Sequence, residues 1–261
     1  MVGTYNPILV LLSVLVAIFV SYTALSLSAR VARAKSGADN TGLWVAGGAI
    51  AMGCGIWSMH FIGMLAFSLP IPLSYDTGLT LASLVIAIAI SGFALSVASS
   101  PEINLVQLSV AALIMGAGIS GMHYSGMAAI DLLPQITYEP MLLIASIIIA
   151  VAASFAALWL FFQLRNAQTT TMKLARVGAA FAMGLAISGM HYTGMAASRF
   201  SPKSFCTGTS NIDTGSLALT TGVVAFVVLS ITTVFLIVDA RRNAVAIAAA
   251  RPAPSARSRS R

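Results

Sequence analysis

Seven long hydrophobic runs, separated by short polar segments, make up most of the chain. Each run approaches or exceeds the roughly 20 residues that a transmembrane helix needs. The runs cover residues 7–28, 41–69, 79–98, 104–133, 141–162, 175–200 and 216–238. None of them alternates between apolar and polar residues, so they predict helices rather than the strands of a membrane barrel. Helices are expected to stop between the runs, where Pro70, Pro72, Pro101, Pro134 and Pro140 fall.

The composition supports the same class of protein. Of the 261 residues, 58% are hydrophobic and 8% are charged, whereas a soluble domain carries roughly 25% charged residues. Too few charges remain to cover a surface that faces water, so we predict an all-α, polytopic membrane protein with seven transmembrane helices. The first run has no basic residue before it, unlike a signal peptide, and is predicted to be an uncleaved helix.

The basic residues predict the orientation of the chain, because cytoplasmic loops are rich in Lys and Arg. Twelve of the 14 follow the first, fifth and seventh runs, and two lie on the other side. The twelve are Arg30, Arg33, Lys35, Arg165, Lys173, Arg176, Arg241, Arg242, Arg251, Arg257, Arg259 and Arg261, and the two are Arg199 and Lys203. We therefore expect the N-terminus outside and the C-terminus in the cytoplasm.

Two domains follow from this pattern: residues 1–240 as a membrane domain and residues 241–261 as a basic, disordered cytoplasmic tail. The tail is expected to lie near anionic lipid. Since the net charge of +7 resides in loops and tail of a membrane protein, it indicates topology and not nucleic-acid binding.

A motif that recurs three times holds all three histidines of the chain. The copies read GIWSMHFIGMLA at 55–66, GISGMHYSGMAA at 118–129 and AISGMHYTGMAA at 186–197. Their histidines, His60, His123 and His191, are 63 and 68 residues apart and fall in the second, fourth and sixth runs. This spacing indicates three helical-hairpin repeats plus a seventh helix. We expect the even-numbered helices to line one central site and the odd-numbered helices to lie outside them.

Methionine and glycine recur in the same frame. Relative to each histidine, methionine recurs at −8, −1 and +4, and glycine recurs at −7 and +3. The methionines at −1 and +4 are Met59, Met122 and Met190, and Met64, Met127 and Met195. On a helix these side chains form an arc around the imidazole. Because glycine lets helices approach closely in a membrane, we expect both sets of glycines to bring the even-numbered helices together.

Two interpretations of the motif are open. Methionine fills hydrophobic cores, and each histidine could simply bond to a neighbouring helix. Three ionisable residues in one frame within the membrane favour a functional site instead. Imidazole with thioether ligands suits copper, above all Cu(I), and His60, His123 and His191 with the −1 and +4 methionines are the candidate ligands. Haem is the rival, bound non-covalently because the chain has no C-x-x-C-H segment.

The segments MHFIGM, MHYSGM and MHYTGM resemble the signature of the MHYT domain, a bacterial integral-membrane sensor module. The resemblance covers about residues 5–240 and includes YNPILVLLSVLVAIFVSYTALSL near the start of the chain. It implies six or seven helices in the inner membrane, with copper bound near the outer face for sensing oxygen, carbon monoxide or nitric oxide. Carried over to this sequence, it adds Tyr124 and Tyr192 to the metal ligands. Phe61 stands at the equivalent position of the first copy and offers no phenol.

We therefore predict a membrane sensor and not an enzyme. Many proteins of this kind carry a cytoplasmic output domain, and we expect this chain to be a stand-alone form that signals to a separate cytoplasmic partner. A membrane copper transporter or chaperone-like protein is the alternative, and a non-covalent haem protein is the second alternative. The inner halves of the motif helices read as Ala, Gly, Val and Leu, which favours the sensor.

Overall fold

Seven long helices make up the part of the chain that the computed structural model describes, residues 1, 3–35, 40–164, 170–207 and 212–249. They are α1 (Pro7–Lys35), α2 (Thr41–Leu65), α3 (Thr77–Ala98), α4 (Leu105–Ala128), α5 (Pro140–Leu164), α6 (Thr170–Ala197) and α7 (Thr214–Ala249). Each contains an apolar span of 22 to 26 residues, long enough to cross a membrane. The prediction of an all-α, multi-pass membrane protein with seven spanning helices is confirmed.

Four pairs of two-residue antiparallel strands tie the loops together at one end of the bundle, which we call the strand end. The opposite end is called the far end below. The pairs are β1 (Thr4–Tyr5) with β2 (Phe67–Ser68), β3 (Ser74–Tyr75) with β8 (Ile212–Asp213), β4 (Leu132–Leu133) with β7 (Phe205–Cys206), and β5 (Thr137–Tyr138) with β6 (Ser198–Arg199). These backbone hydrogen bonds between loops fix the positions of the helix ends relative to one another.

The helix bounds differ from the predicted runs. The three motif helices end at Leu65, Ala128 and Ala197, earlier than predicted, because residues that follow them enter the short strands. Helix α1 extends to Lys35, so its basic residues lie on a helix and not in a loop. Pro140 does not separate helices but is the first residue of α5, a position where proline is well tolerated.

The predicted tail is helical where the structure describes it. Helix α7 continues to Ala249, so residues 241–249 extend the last helix beyond its apolar span, which ends at Phe235. Residues 250–261 and Arg165 lie outside the described residues. They include some of the basic residues from which the orientation of the chain is predicted.

The first six helices form a closed ring. Each helix packs against the next one in sequence, and α6 packs against α1, which closes the ring. Helix α7 lies outside the ring and packs mainly against α2. Three hairpins of equal orientation thus surround one axis, as the repeat predicts.

The odd-numbered helices reach the axis at the far end. Helices α1, α3 and α5 contact one another pairwise. Their equivalent residues Leu25, Leu95 and Leu158 are at most 1% exposed and belong to one hydrophobic cluster. The prediction that the odd-numbered helices lie outside is therefore wrong for this half of the bundle, which they close with aliphatic side chains.

The glycines at −7 explain this arrangement. A Cβ atom built on Gly53, Gly116 or Gly184 would lie closer than 3.0 Å to the Cα atom of a residue on an odd-numbered helix. Those residues are Ile88, Val151 and Ile18, respectively. The odd-numbered helices therefore lie directly on glycine backbone. The prediction that these glycines bring the even-numbered helices together is wrong.

At the strand end, each hairpin is tied by one backbone hydrogen bond between its two helix ends. The residue before the odd-numbered helix donates its N–H to a carbonyl at the end of the even-numbered helix. The pairs are Asn6 with Ala66 (2.8 Å), Asp76 with Ala129 (2.7 Å) and Glu139 with Ala197 (2.8 Å). The side chains of Asn6, Asp76 and Glu139 also accept bonds from the first helical N–H groups.

The start of α7 is expected to depend on pH through Asp213. Hydrogen bonds from the Ser216 hydroxyl (2.6 Å) and the Ser216 N–H (2.9 Å) lower the pKa of this carboxyl below its ordinary value of 3.8. The stabilisation that the ionised carboxylate gives to the first turn of α7 is therefore complete above the pKa of an unfolded aspartate. It is lost as the pH falls through the lower pKa of the folded state. Hydrogen exchange at Ser216 should report faster opening of the first turn in acid. Asp213→Asn still accepts hydrogen bonds but does not titrate, so an unchanged acid response in this variant would contradict the assignment.

Candidate metal centre

The three motif histidines meet on the axis of the bundle. His60 on α2, His123 on α4 and His191 on α6 are each at most 1% exposed. The Nδ1 atom of His60 lies 3.1 Å from Nδ1 of His191 and 3.2 Å from Nδ1 of His123. One nitrogen from each ring lies within 4.8 Å of the other two. Residues that are 131 positions apart in the chain thus form one compact cluster, and the expected meeting of the three copies at one level is confirmed.

The imidazoles are arranged with threefold pseudosymmetry. Their ring centroids are 4.9, 5.0 and 5.2 Å apart, and each pair is nearly perpendicular, at 79° to 90°. Among the described residues, no hydrogen-bond partner reaches the outward nitrogen, Nε2, of any of the three rings. Each ring therefore presents one nitrogen to the axis and its other nitrogen to the wall of the cluster.

The glycines at +3 form that wall. A Cβ atom on Gly126 would overlap Nε2 of His60, one on Gly194 would overlap Nε2 of His123, and one on Gly63 would overlap Nε2 of His191. Each imidazole on one even-numbered helix thus occupies the space that a glycine leaves on another. These glycines do allow a close approach, but the approaching group is a side chain of another motif helix and not its backbone.

Of the two predicted sets of methionines, the structure brings only the set at +4 together. The +4 methionines, Met64, Met127 and Met195, share a buried cluster with residues of the strand end. The −1 methionines are buried, at 1–2% exposure, but belong to three different clusters. Met59 lies in a cluster with residues of α1, Met122 in the strand-end cluster and Met190 in the far-end cluster. Of the two predicted sets of thioethers, only those at +4 therefore lie together in one cluster.

The two motif tyrosines stack edge-on against their neighbouring histidines but direct their hydroxyl groups elsewhere. The ring centroids of Tyr124 and His123 are 4.7 Å apart, and those of Tyr192 and His191 are 4.8 Å apart. The Tyr124 hydroxyl lies 2.6 Å from Oγ of Ser146 on α5, and the Tyr192 hydroxyl lies 2.6 Å from Oγ of Ser13 on α1. No contact in the described part of the chain joins either hydroxyl to an imidazole nitrogen.

Sequence reasoning missed a second repeat, on the odd-numbered helices. Ser13, Ser83 and Ser146 are 0% exposed and stand at equivalent positions, seven residues after Asn6, Asp76 and Glu139. A tyrosine precedes each of those three residues, and its ring lies against the aromatic residue that follows a motif histidine. The pairs are Tyr5 with Tyr192 (6.1 Å), Tyr75 with Phe61 (6.4 Å) and Tyr138 with Tyr124 (5.2 Å). Aligning the odd-numbered runs at the hairpin spacing would have found this pattern.

These flanking tyrosines are neutral phenols at ordinary pH. Burial raises the pKa of Tyr75 to about 12 and, with a smaller contribution from Tyr124, that of Tyr138 to about 12. They belong to the short strands and pack against the aromatic residues that follow the motif histidines.

Fold and site together define a polytopic membrane protein with a buried centre of three imidazoles, one from each helical hairpin. The chain belongs to the MHYT family, described as a bacterial signalling protein N-terminal repeat, which matches residues 53–111, 116–172 and 184–250. The resemblance noted for the motif is thereby confirmed, and the chain is assigned to a family of membrane signalling proteins.

Curated relatives agree with this assignment. The bifunctional diguanylate cyclase/cyclic di-GMP phosphodiesterase MucR of Pseudomonas aeruginosa is 50% identical over 245 residues, which cover 94% of this chain and 35% of MucR. The signaling protein YkoW of Bacillus subtilis is 41% identical over 76% of this chain and 24% of its own length. The cyclic di-GMP phosphodiesterase NbdA of Pseudomonas aeruginosa is 40% identical over 74% of this chain and 24% of its own length.

The chain spans about a third or less of the length of these relatives. The enzymatic activities in the names of MucR and NbdA are therefore statements about those proteins. No solved structure matches the chain.

Proposed function

We propose that the chain is a sensor of the bacterial inner membrane that holds one copper ion between its three imidazoles. The observation that carries this proposal is the convergence of three buried Nδ1 atoms, with separations of 3.1 and 3.2 Å, on one axis. Imidazole nitrogens bind such metals at about 2.0–2.1 Å, so a trigonal site needs separations of roughly 3.5 Å. A small outward movement of the rings would produce that geometry.

The donor set favours copper. Three neutral imidazoles with the +4 thioethers on the strand side form a soft to borderline ligand set, and the described cluster contains no carboxylate. A hard cation such as Mg²⁺ or Ca²⁺ would find no oxygen ligands of the kind that it prefers. Haem fits less well, because a porphyrin needs a flat space beside its axial imidazole, and three perpendicular rings occupy that space here.

The far end of the axis supports a sensor over the alternative of a copper transporter. Leu25, Leu95 and Leu158 close the bundle there with fully buried aliphatic side chains. An ion that moved from the imidazoles toward the far end would exchange its imidazole ligands for, at most, the thioethers of Met52, Met115 and Met183 in an aliphatic cluster, at a large free-energy cost. The site therefore suits binding from the strand side, which we propose to be the outer side of the membrane.

A copper ion held by the three imidazoles would supply a place where a diatomic gas such as oxygen, carbon monoxide or nitric oxide could bind. The imidazoles would translate a change there into helix movement, since each ring touches the glycine of another motif helix. Such a change signals only if it stabilises one helix arrangement more than another. We propose that a cytoplasmic partner reads the arrangement at the far end and along α7.

Metal analysis of the purified full chain tests the proposal. We expect about one copper ion per chain, and His123→Ala should weaken its binding by at least about 100-fold, beyond the 10–100-fold typical of residues that merely support a ligand. Met115→Leu is the matched control, because Met115 is a buried residue of the same helix in the far-end cluster and should leave binding unchanged. Stoichiometric iron with the Soret band of a haem, or a protein that binds no metal, would overturn the copper site.

A further inference from the structure

The hydroxyl groups of Tyr124 and Tyr192 act as hydrogen-bond donors to serines. Ser146 and Ser13 each direct their own hydroxyl to a carbonyl oxygen one turn earlier in their helix, at 2.8 Å. A serine has only one such proton, so in the 2.6 Å contacts the tyrosine must donate and the serine must accept. A tyrosine engaged in this way keeps its proton, whereas a tyrosine that ligates copper would have to release it and turn toward the imidazoles.

The first repeat contains the same contact with a different donor. Ser83, the equivalent serine on α3, donates to the carbonyl of Thr80 at 2.7 Å. Phe61 has no hydroxyl to offer, and the indole Nε1–H of Trp57 donates to Ser83 instead, at 3.1 Å. The rings of Trp57 and Phe61 lie 4.7 Å apart, so the indole occupies the side of α2 on which the phenol would lie. An indole N–H can serve as a donor but not as a metal ligand of the phenolate kind.

Each motif helix is therefore tied to an odd-numbered helix by the side chain of Trp57, Tyr124 or Tyr192, and the indole N–H of Trp57 also reaches the Thr80 carbonyl, at 3.3 Å. Helix α2 is tied to α3, α4 to α5, and α6 to α1. A side chain at a radius of about 5–6 Å moves by roughly 1 Å when its helix rotates by about 10°. Imidazoles that must meet within 3.2 Å tolerate little of that rotation.

We propose that Ser13, Ser83 and Ser146 are positioning residues of the imidazole centre. They fix the rotation of the motif helices by accepting hydrogen bonds from Tyr192, Trp57 and Tyr124, respectively, and the two tyrosines serve as donors and not as metal ligands. One of the two measurements below relies on the proposed copper site, and the other does not.

Copper affinity and the electron paramagnetic resonance spectrum of Cu²⁺ in the full chain provide the first measurement. Tyr124→Phe and Ser146→Ala should both lower the affinity by about 10–100-fold, as expected for residues that orient a ligand, and both should alter the spectrum in the same way. The double variant should be no worse than either single variant, because both remove the same contact. Tyr138→Phe is the control, since it removes a hydroxyl from a ring 5.2 Å from that of Tyr124 and leaves the two members of the Tyr124–Ser146 hydrogen bond in place.

The second measurement uses metal-free protein labelled with ¹⁵N in its histidine rings. The Nδ1 resonances should shift in Tyr124→Phe, Ser146→Ala and Trp57→Phe and remain in place in Tyr138→Phe. If wild-type protein binds no copper but these shifts occur, the copper proposal fails and the positioning role stands. If Tyr124→Phe removes copper while Ser146→Ala changes neither affinity, spectrum nor ring resonances, the tyrosine is a ligand and the positioning role is wrong. Unchanged ring resonances and unchanged copper binding in all three variants would also overturn it.

Discussion

Gly126→Ala and Gly194→Ala should eject an imidazole from the central cluster in a protein that still folds. The added methyl group would overlap Nε2 of His60 in the first variant and Nε2 of His123 in the second. An imidazole can rotate about its own side-chain bonds, so the strain is relieved by loss of the cluster and not by unfolding. Overpacking of this kind costs roughly 1–3 kcal/mol. We expect copper affinity to fall by at least about 10-fold, as for the loss of a group that orients a ligand.

Two glycines on the same two helices, each two residues before a motif histidine, provide matched controls. A Cβ atom on Gly121 or Gly189 meets nothing within 4 Å. Gly121→Ala and Gly189→Ala therefore make the same change in helix propensity, on the same helices, without touching an imidazole. Both measurements, copper affinity and the ¹⁵N resonances of the histidine rings, should stay at wild-type values in the controls. If Gly126→Ala matches Gly121→Ala in both, the interlocked arrangement of rings and glycines is wrong.

Gly116→Ala should destabilise the fold itself. Its Cβ atom would overlap the Cα and N atoms of Val151, which belong to backbone and cannot rotate away. Helix α5 would have to move off α4, and with it the far-end contacts among α1, α3 and α5. We expect a loss of stability at or above the upper end of the roughly 1–3 kcal/mol typical of overpacking. Gly53→Ala and Gly184→Ala should act in the same way on the contacts of α2 with α3 and of α6 with α1.

Gly118 on the same helix is the control for Gly116. An added Cβ atom there would come equally close to a neighbour, but the neighbour is the flexible side chain of Ile90. Thermal unfolding of the full chain in detergent should show a clearly lower midpoint for Gly116→Ala than for Gly118→Ala. Equal midpoints would mean that the odd-numbered helices do not rest on the motif glycines.

Much of the fold could be predicted because the membrane restricts the choices. Backbone groups in lipid must be bonded within the same segment, so a long apolar run becomes a helix whatever its neighbours are. The helix ends were harder to predict, since the apolar residues after Leu65 and Ala128 pair as strands outside the helices. Hydropathy alone does not distinguish a helix from a short strand that follows it.

The site was predictable for a different reason. His60, His123 and His191 stand in one frame, and equivalent residues of a repeat reach equivalent places when the repeats surround an axis. The roles of the glycines and tyrosines could not be assigned in this way. A helical wheel shows which residues share a face of one helix but not which neighbour covers that face. Gly116 meets Val151, and Tyr124 meets Ser146 on the same helix, because α4 packs against α5 in the ring.

The sequence by itself determined the number of spanning helices, the three-hairpin repeat and the identity of the central residues. These properties depend on local hydrophobicity and on periodic spacing, both of which are written along the chain. Only the tertiary structure decided that the ring closes between α1 and α6, that each imidazole rests on a glycine of another hairpin, and that the phenols point to serines. Those features depend on contacts between residues far apart in sequence, whose partners are set by how helices cross and rotate against each other.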